Sequence, residues 1–495
     1  MPILYQNNVQ HTLQPSSHPY LNGAWTPNFT EYTATDLEVI GTIPADIDGI
    51  YLRNTENPVQ EPIGLYHPFD GDGMLHAMLF RDGKAEYRNR FIRTKGFNAE
   101  QEAGAAIWAG IANGIDKSKR PGWGAQGFVK DASSTDVVVH AGNVMTTFWQ
   151  CGDGYRLDPF TLEQLGAEGW TPLDGISAHP KVDARTGEML FFNYSKYPPY
   201  QHYGVVNRDN RLVHYTPVPL PGPRLPHDMA FTENYSILVD LPLYWDPKLL
   251  AQGIHHAEYF PNQPTRFGIL PRYGTAADVK WFEAAPTYVL HWNNAYEDGD
   301  EIVLDGYFQE DPNPPPLPGM PARAGKMMAN LDMHSFKPHL HRWRFNLRTG
   351  EVKEQVLDAR VLEFGTFNQR YAGRKSRYAY SVTSKPGWFL FTALIKHDLE
   401  TGESWRLDFG DERYGSESPF APRVNAQDED DGYLVSFITD MKLDRSECVL
   451  IDAKNIEAGP VCRIILPERI CSGTHATWAD GPALRAQRKT EGNVP

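Results

Sequence analysis

Cysteine is scarce in this chain, and so are positive charge, long apolar runs and amphipathic helices. There are 4 cysteines in 495 residues (Cys151, Cys448, Cys462 and Cys471), with no CxxC pair among them. That excludes a disulfide framework and a thiolate metal knuckle, and it reads as buried thiols of a reducing compartment. No window approaches the roughly 18 uninterrupted apolar residues that a membrane-spanning helix needs. The opening stretch, MPILYQNNVQHTLQPSSHPY, lacks the basic flank and apolar run of a signal peptide, so the expected location is cytoplasmic. Lys and Arg number 47 against 62 Asp and Glu, a formal net charge of −15. An acidic surface repels phosphate backbones, which excludes nucleic acid as a partner.

What is present points to β structure. Hydrophobic residues make up 41% and aromatics 12%, enough for a large core and too much for disorder. Short strand-like runs such as SILVDLPL, EIVLDGYF, WFLFTALI and GYLVSF recur after residue 35. Between such runs sit turn-forming strings, among them DARTG (183–187), NLRTG (346–350) and DLETG (398–402). Many short strands without a βαβ rhythm favour one large closed β structure, and a propeller removes the edge-strand problem at this size. Sandwiches in series would need linkers, and no Ser/Gly-rich linker is seen. The expected layout is an N-terminal extension over 1–34 and a single all-β propeller domain over 35–495.

One segment breaks the strand pattern. Residues 97–115, FNAEQEAGAAIWAGIANGI, are Ala-rich and carry Ile107, Trp108 and Ile111 at helical spacing. They read either as a helix capping the β core or as an apolar lip that dips into a membrane surface or lines a greasy entrance. The Pro-rich insertion at 309–321 reads as a surface loop.

The chemistry lies with histidine. There are 17 histidines and no short metal motif of the HExxH type. Four of them, His179, His227, His291 and His475, each sit beside small or apolar residues and near a turn signal. Their long intervals are weak grounds for a site in themselves. In a propeller, however, residues on the innermost strands of different blades converge on the axis.

The sequence resembles the carotenoid cleavage oxygenases, most closely the plant-type carotenoid cleavage dioxygenase branch. The resemblance is carried by blocks in family order, among them YLRNTENPV (51–59), FDGDGMLHAMLFRDGKAEYRNRFIRT (69–94), SAHPKVDARTGEM (177–189), HDMAFTENYSILVDLP (227–242), HWNNAYE (291–297), RYGSESPFAPR (413–423) and GTHATW (473–478). It implies a seven-bladed β-propeller with a helical and loop cap over an iron site. It also implies that His179, His227, His291 and His475 hold Fe(II), four neutral imidazoles leaving positions open for O2 and substrate. The family supports three of its four histidines with glutamates. Glu417 in RYGSE matches one of these, while Gln369 in FNQRY and Gln150 in FWQ (or Trp149, if a gap is shifted by one residue) stand at the other two. A Gln carbonyl accepts an imidazole N–H without the charge that strengthens the bond. By the same resemblance, the methyl group of Thr135 crowds one open metal position and Phe69 lines the substrate cavity. Plain core packing is the rival account of Phe69.

Family members that cleave stilbenes and phenylpropenes grip a phenol hydroxyl with a Tyr and a Lys. Here the Tyr position falls on Ile111 and the Lys position on Phe148 or Trp149, and apolar groups cannot hold or ionise a phenol. The implied reaction is dioxygenase cleavage of a C=C bond of a carotenoid or apocarotenoid into two aldehydes, with O2 as co-substrate and peripheral contact to a membrane. Cleavage of a stilbene or phenylpropene side chain is the alternative reaction. A lipid-binding propeller without turnover is the alternative from another class.

Overall fold

The computed structural model describes residues 1–113, 115–122, 129–252, 254 and 256–491. Seven antiparallel sheets of four or more strands, here blades I–VII, succeed one another along the chain, and a separate two-stranded ribbon hangs from blade IV. The arrangement is a seven-bladed β-propeller.

Closure uses both ends of the chain. The C-terminal strand Ala476–Asp480 pairs with Gly49–Arg53, Thr477 facing Leu52, and becomes the innermost strand of blade I. The N-terminal strand Val39–Gly41 pairs with Pro460–Ile465 at the outer edge of blade VII. No gap with free strand edges is left between the first and last blades. Residues 1–34 contribute two further strands, Ile3–Asn8 and Thr30–Ala34, which continue blade I outward from Lys84–Phe91.

Burial follows strand position. Gly432–Asp440, sandwiched within blade VII, is buried at every residue and reads as an almost continuous apolar run. The outermost strand of blade VI, Ser404–Asp408, alternates exposed and half-buried residues, with Trp405 and Leu407 turned inward. The three TG-ending strings form one kind of corner. In each, a Gly at left-handed φ (Gly187 75°, Gly350 81°, Gly402 76°) returns its N–H to the carbonyl of the Asp or Asn that opens the turn. That opening side chain also accepts an N–H two residues on, so turn chemistry sets the hairpins of blades III, V and VI.

The cap is helix and loop, as the family resemblance implies, with the helix confined to its first part. A helix runs over Lys95–Ala103, started by the Thr94 side chain and stopped by Gly104 at φ 60°. Beyond it the chain is irregular, and Gly114 lies outside the described residues. Ile107, Trp108 and Ile111 are 9%, 5% and 3% exposed. These three side chains therefore face inward. Their segment is held by two carboxylates, Glu100 buried and Asp70 half-buried. Glu100 Oε1 accepts the N–H groups of Ile107 and Trp108 at 2.8 and 3.3 Å, and Asp70 Oδ1 accepts that of Ile111 at 2.8 Å. Among the described residues no helix is long and apolar enough to cross a membrane.

Candidate metal centre

The four histidines meet. Each stands just ahead of the innermost strand of its blade: His179 before Lys181–Val182, His227 before Ala230–Phe231, His291 before Trp292–Asp298 and His475 before Ala476–Asp480. Strands that start at one level around an axis bring such residues together. One ring nitrogen from each lies within 4.8 Å of all the others, and His179 Nε2 is 3.2 Å from His227 Nε2. His179 reaches its place through a left-handed backbone, φ 62°, a conformation costly for most residues and one that collects at functional sites. His334, His339 and His341 are not part of this group, and His255 lies outside the described residues.

Burial, then mutual repulsion, pushes His179, His227 and His291 well below the usual histidine range, so their lone pairs are free. Burial also pulls His475 down, but Glu417 outweighs it and the net shift is upward. His291 Nε2 is buried without a hydrogen-bond partner among the described residues, an atom whose desolvation none of them offsets. Four inward-facing imidazoles with an orphaned nitrogen fit a divalent transition metal.

Behind the histidines the structure differs from expectation at one place. Glu363, not Gln369, backs His291: its Oε2 accepts the Nδ1 proton at 2.7 Å. Gln369 is exposed, six residues further on in a short 3-10 turn. The reason is a local change of course. Phe364, at φ 53°, turns the chain immediately after Glu363 and sets its ring 4.7 Å from that of His291. Burial pushes the Glu363 carboxyl up to about 8.

Glu417 Oε2 lies 3.4 Å from His475 Nδ1 and accepts the N–H of Ala476 at 2.6 Å. Asp136 does the same for His179, with Oδ2 at 3.4 Å from Nδ1 and 3.1 Å from the backbone nitrogen. Asp228 ties two ligand segments through the backbone, accepting N–H bonds from Met229 at 2.7 Å and Trp292 at 2.9 Å. Gln150 is fully buried, and neither atom of its amide has a partner among the described residues. Asp136, Asp228, Glu363 and Phe364 were not singled out from the sequence. For Glu363 there was a signal: a lone carboxylate inside the apolar run VLEF.

On the cap side the residues expected to line the substrate cavity come together. Ile111 and Phe148 belong to one buried apolar cluster, and Phe69 and Trp149, both half-buried, pack against it. Phe69 also meets Phe389 edge-on at 6.1 Å, and Phe389 in turn meets Phe364, so an aromatic wall leads from the cap to the ligands. Thr135 is nearly buried and its Oγ1 accepts the N–H of Trp149 at 3.2 Å.

Comparison with known proteins settles the family. A family model described as retinal pigment epithelial membrane protein matches residues 25–480. The chain belongs to that family, the carotenoid oxygenases. It is 34% identical to carotenoid 9,10(9',10')-cleavage dioxygenase 1 of Pisum sativum, over 95% of this chain and 92% of that one. It is 30% identical to isoeugenol monooxygenase of Pseudomonas putida, over 93% and 98%. The crystal structure of Pseudomonas brassicacearum lignostilbene dioxygenase superposes with a TM-score of 0.81 at 26% identity, covering 95% of this chain and 100% of that one. The chain is a non-haem iron oxygenase by this membership.

Proposed function

We propose that this chain uses Fe(II) and O2 to cleave a carbon–carbon double bond of a carotenoid or apocarotenoid. Both atoms of O2 end in products: the C=C bond breaks, two C=O bonds form, and no proton or external electron is required. The observation that carries this reading is the apolar cluster of Ile111 and Phe148, with Trp149 against it, beside four converging histidines. No phenol-binding Tyr or Lys stands at those three positions, and the plant relative named above acts on carotenoids.

The iron, when bound, supplies a redox-active cation with positions for O2. The protein does the rest. His179, His227, His291 and His475 present uncharged donors, so the cation's charge stays undiminished. Glu363 and Glu417 fix ring orientation on two of them. The aromatic wall keeps water from the reacting bond and holds a flat polyene by its faces. Thr135 and Phe69 are assigned to this wall as residues that shape the space around the metal.

The test is turnover on a panel of carotenoids, apocarotenals and hydroxystilbenes under 18O2. Expected are two aldehydes from a polyene, each carrying label. Label-bearing aromatic aldehydes from hydroxystilbenes alone would replace the polyene by a phenolic alkene. No product from any of them, in iron-loaded protein, would leave a binding propeller without turnover.

A further inference from the structure

The histidines are reached from two sides. Besides the apolar cap side, a continuous cavity of about 1490 Å³ runs along the innermost strands and borders His179, His291 and His475 at one end. At its other end it is bordered by exposed residues, Arg208 and Arg211 of the hairpin in blade III and Ala483, Ala486 and Gln487 of the C-terminal helix Gly481–Glu491. Phe69, Ile111, Phe148 and Trp149 do not border it. It is therefore a separate way in, from solvent to the metal centre, and the proposed cleavage leaves it without a role.

Arginines border its outer part (Arg156, Arg208, Arg211 and Arg370), but beside the ligands its walls suit a cation. Asp136, Asp228 and Glu417 border it next to the ligands. Asn293, two residues past His291, borders it too, is 5% exposed, and has neither amide atom hydrogen-bonded among the described residues. An orphaned buried amide facing a channel is an oxygen donor in waiting. Lys181 also borders the cavity, its ammonium held by Asp228 at 2.6 Å, so the charges of that pair largely offset each other and the net negative charge beside the ligands comes from Asp136 and Glu417. The cap side offers the reverse. A hydrated divalent ion entering hydrocarbon would shed its water with nothing to replace it, a cost of many kcal/mol.

We infer that the divalent metal reaches and leaves the four histidines through this axial channel, with the amide oxygen of Asn293 and the carboxylates of Asp136 and Glu417 taking over from its water shell. The inference rests on the reading of the histidines as an iron site and adds the route by which that site is loaded.

All four native cysteines are buried. An Ala486→Cys variant can therefore be modified at the channel mouth alone, its thiol adding across the double bond of a bulky maleimide in protein that has already folded. Two rates are then measured before and after modification: Fe(II) loss from the loaded enzyme to a coloured chelator, and Fe(II) uptake by stripped protein. Both should slow on the order of tenfold, because exchange must then wait for local opening of the fold. Turnover of a short apocarotenal by enzyme already loaded should not change. In a second arm, Arg211→Glu should speed uptake at low ionic strength, and salt should abolish the gain. Unchanged rates in both arms would overturn the route. So would a fall in loaded turnover with unchanged metal exchange, which would give the cavity to the reaction. Stripped protein that takes up no Fe(II) at any rate would overturn the iron site itself, a distinguishable result.

Discussion

The two sides of the histidine ring are built of opposite materials. Toward the cap lies an apolar cluster in which Ile111 and Phe148 are almost wholly buried, roofed by a segment whose backbone is pinned to Asp70 and Glu100. Toward the axis lies a cavity of mixed lining, in which Asp136, Asp228, Asn293 and Glu417 stand among apolar residues such as Met229 and Phe367. Four imidazoles separate the two. The contrast teaches that a propeller axis can serve two solvents at once: its strands supply alternating polar side chains to one end, and loops between strands supply hydrocarbon to the other. The centre itself belongs to neither, so removing it should silence both sides. For His291→Ala we expect metal content and turnover to fall by more than about 100-fold, beyond the roughly 10–100-fold range of losses behind a ligand. Bound iron by mass spectrometry and the circular dichroism of the fold check this together. A variant that retains iron and turnover would remove His291 from the centre.

Next in size is the support behind the ligands. Glu363→Ala removes the oxygen that accepts from His291 Nδ1 at 2.7 Å, and should weaken iron retention by roughly 10–100-fold. Gln369→Ala should do nothing measurable, since Gln369 is exposed. The pair of titrations against a chelator decides between the two assignments. Equal losses, or a loss at 369 alone, would restore the sequence-based one.

That reversal shows what the sequence could and could not disclose. The strand-rich architecture was legible from short runs and from the TG corners, because turn chemistry is local. The ligand set was legible only through family resemblance, since intervals as long as 179 to 227 to 291 to 475 say nothing until strands converge. Glu363 was missed because an alignment register cannot see that Phe364 turns the chain at φ 53°. It assigns the carboxylate's place to Gln369, six residues further on. The extent of the cap helix was illegible for a related reason. Helical spacing over 107–111 looked amphipathic, but Gly104 ends the helix first, and apolar side chains in an irregular loop pack wherever the fold beneath leaves space.

A third prediction tests the cap side without touching the metal. Trp149→Lys places a charge against the apolar cluster at a half-buried position, where the ammonium can partly escape to water. Polyene turnover should fall about tenfold, the scale of a modest mismatch in an apolar pocket, while iron content stays at wild type. Unaltered turnover would mean that the polyene does not pass Trp149.

The smallest effect concerns how the cap is pinned, and its sign can be worked out. Burial pushes the Asp70 carboxyl up to about 7, against hydrogen bonds from Ile111 and His67 that favour the ionised form. In the unfolded chain such a group titrates near 4. Between those values the folded protein binds more protons than the unfolded one. The contribution of Asp70 is thus complete below about pH 4 and is lost as pH rises through about 7. Asp70→Asn has no such titration. The carboxyl faces two donors, the N–H of Ile111 2.8 Å from Oδ1 and that of His67 3.1 Å from Oδ2. At pH 5 the protonated carboxyl, like the amide of the variant, has one full acceptor oxygen, so the two proteins should differ little in stability. By pH 8 the wild type carries a desolvated charge that the variant lacks, so the gap in melting temperature should shift in the variant's favour. A gap of constant size across that range would mean that Asp70 is solvated like an ordinary surface carboxylate, and that something else holds the roof over the apolar side.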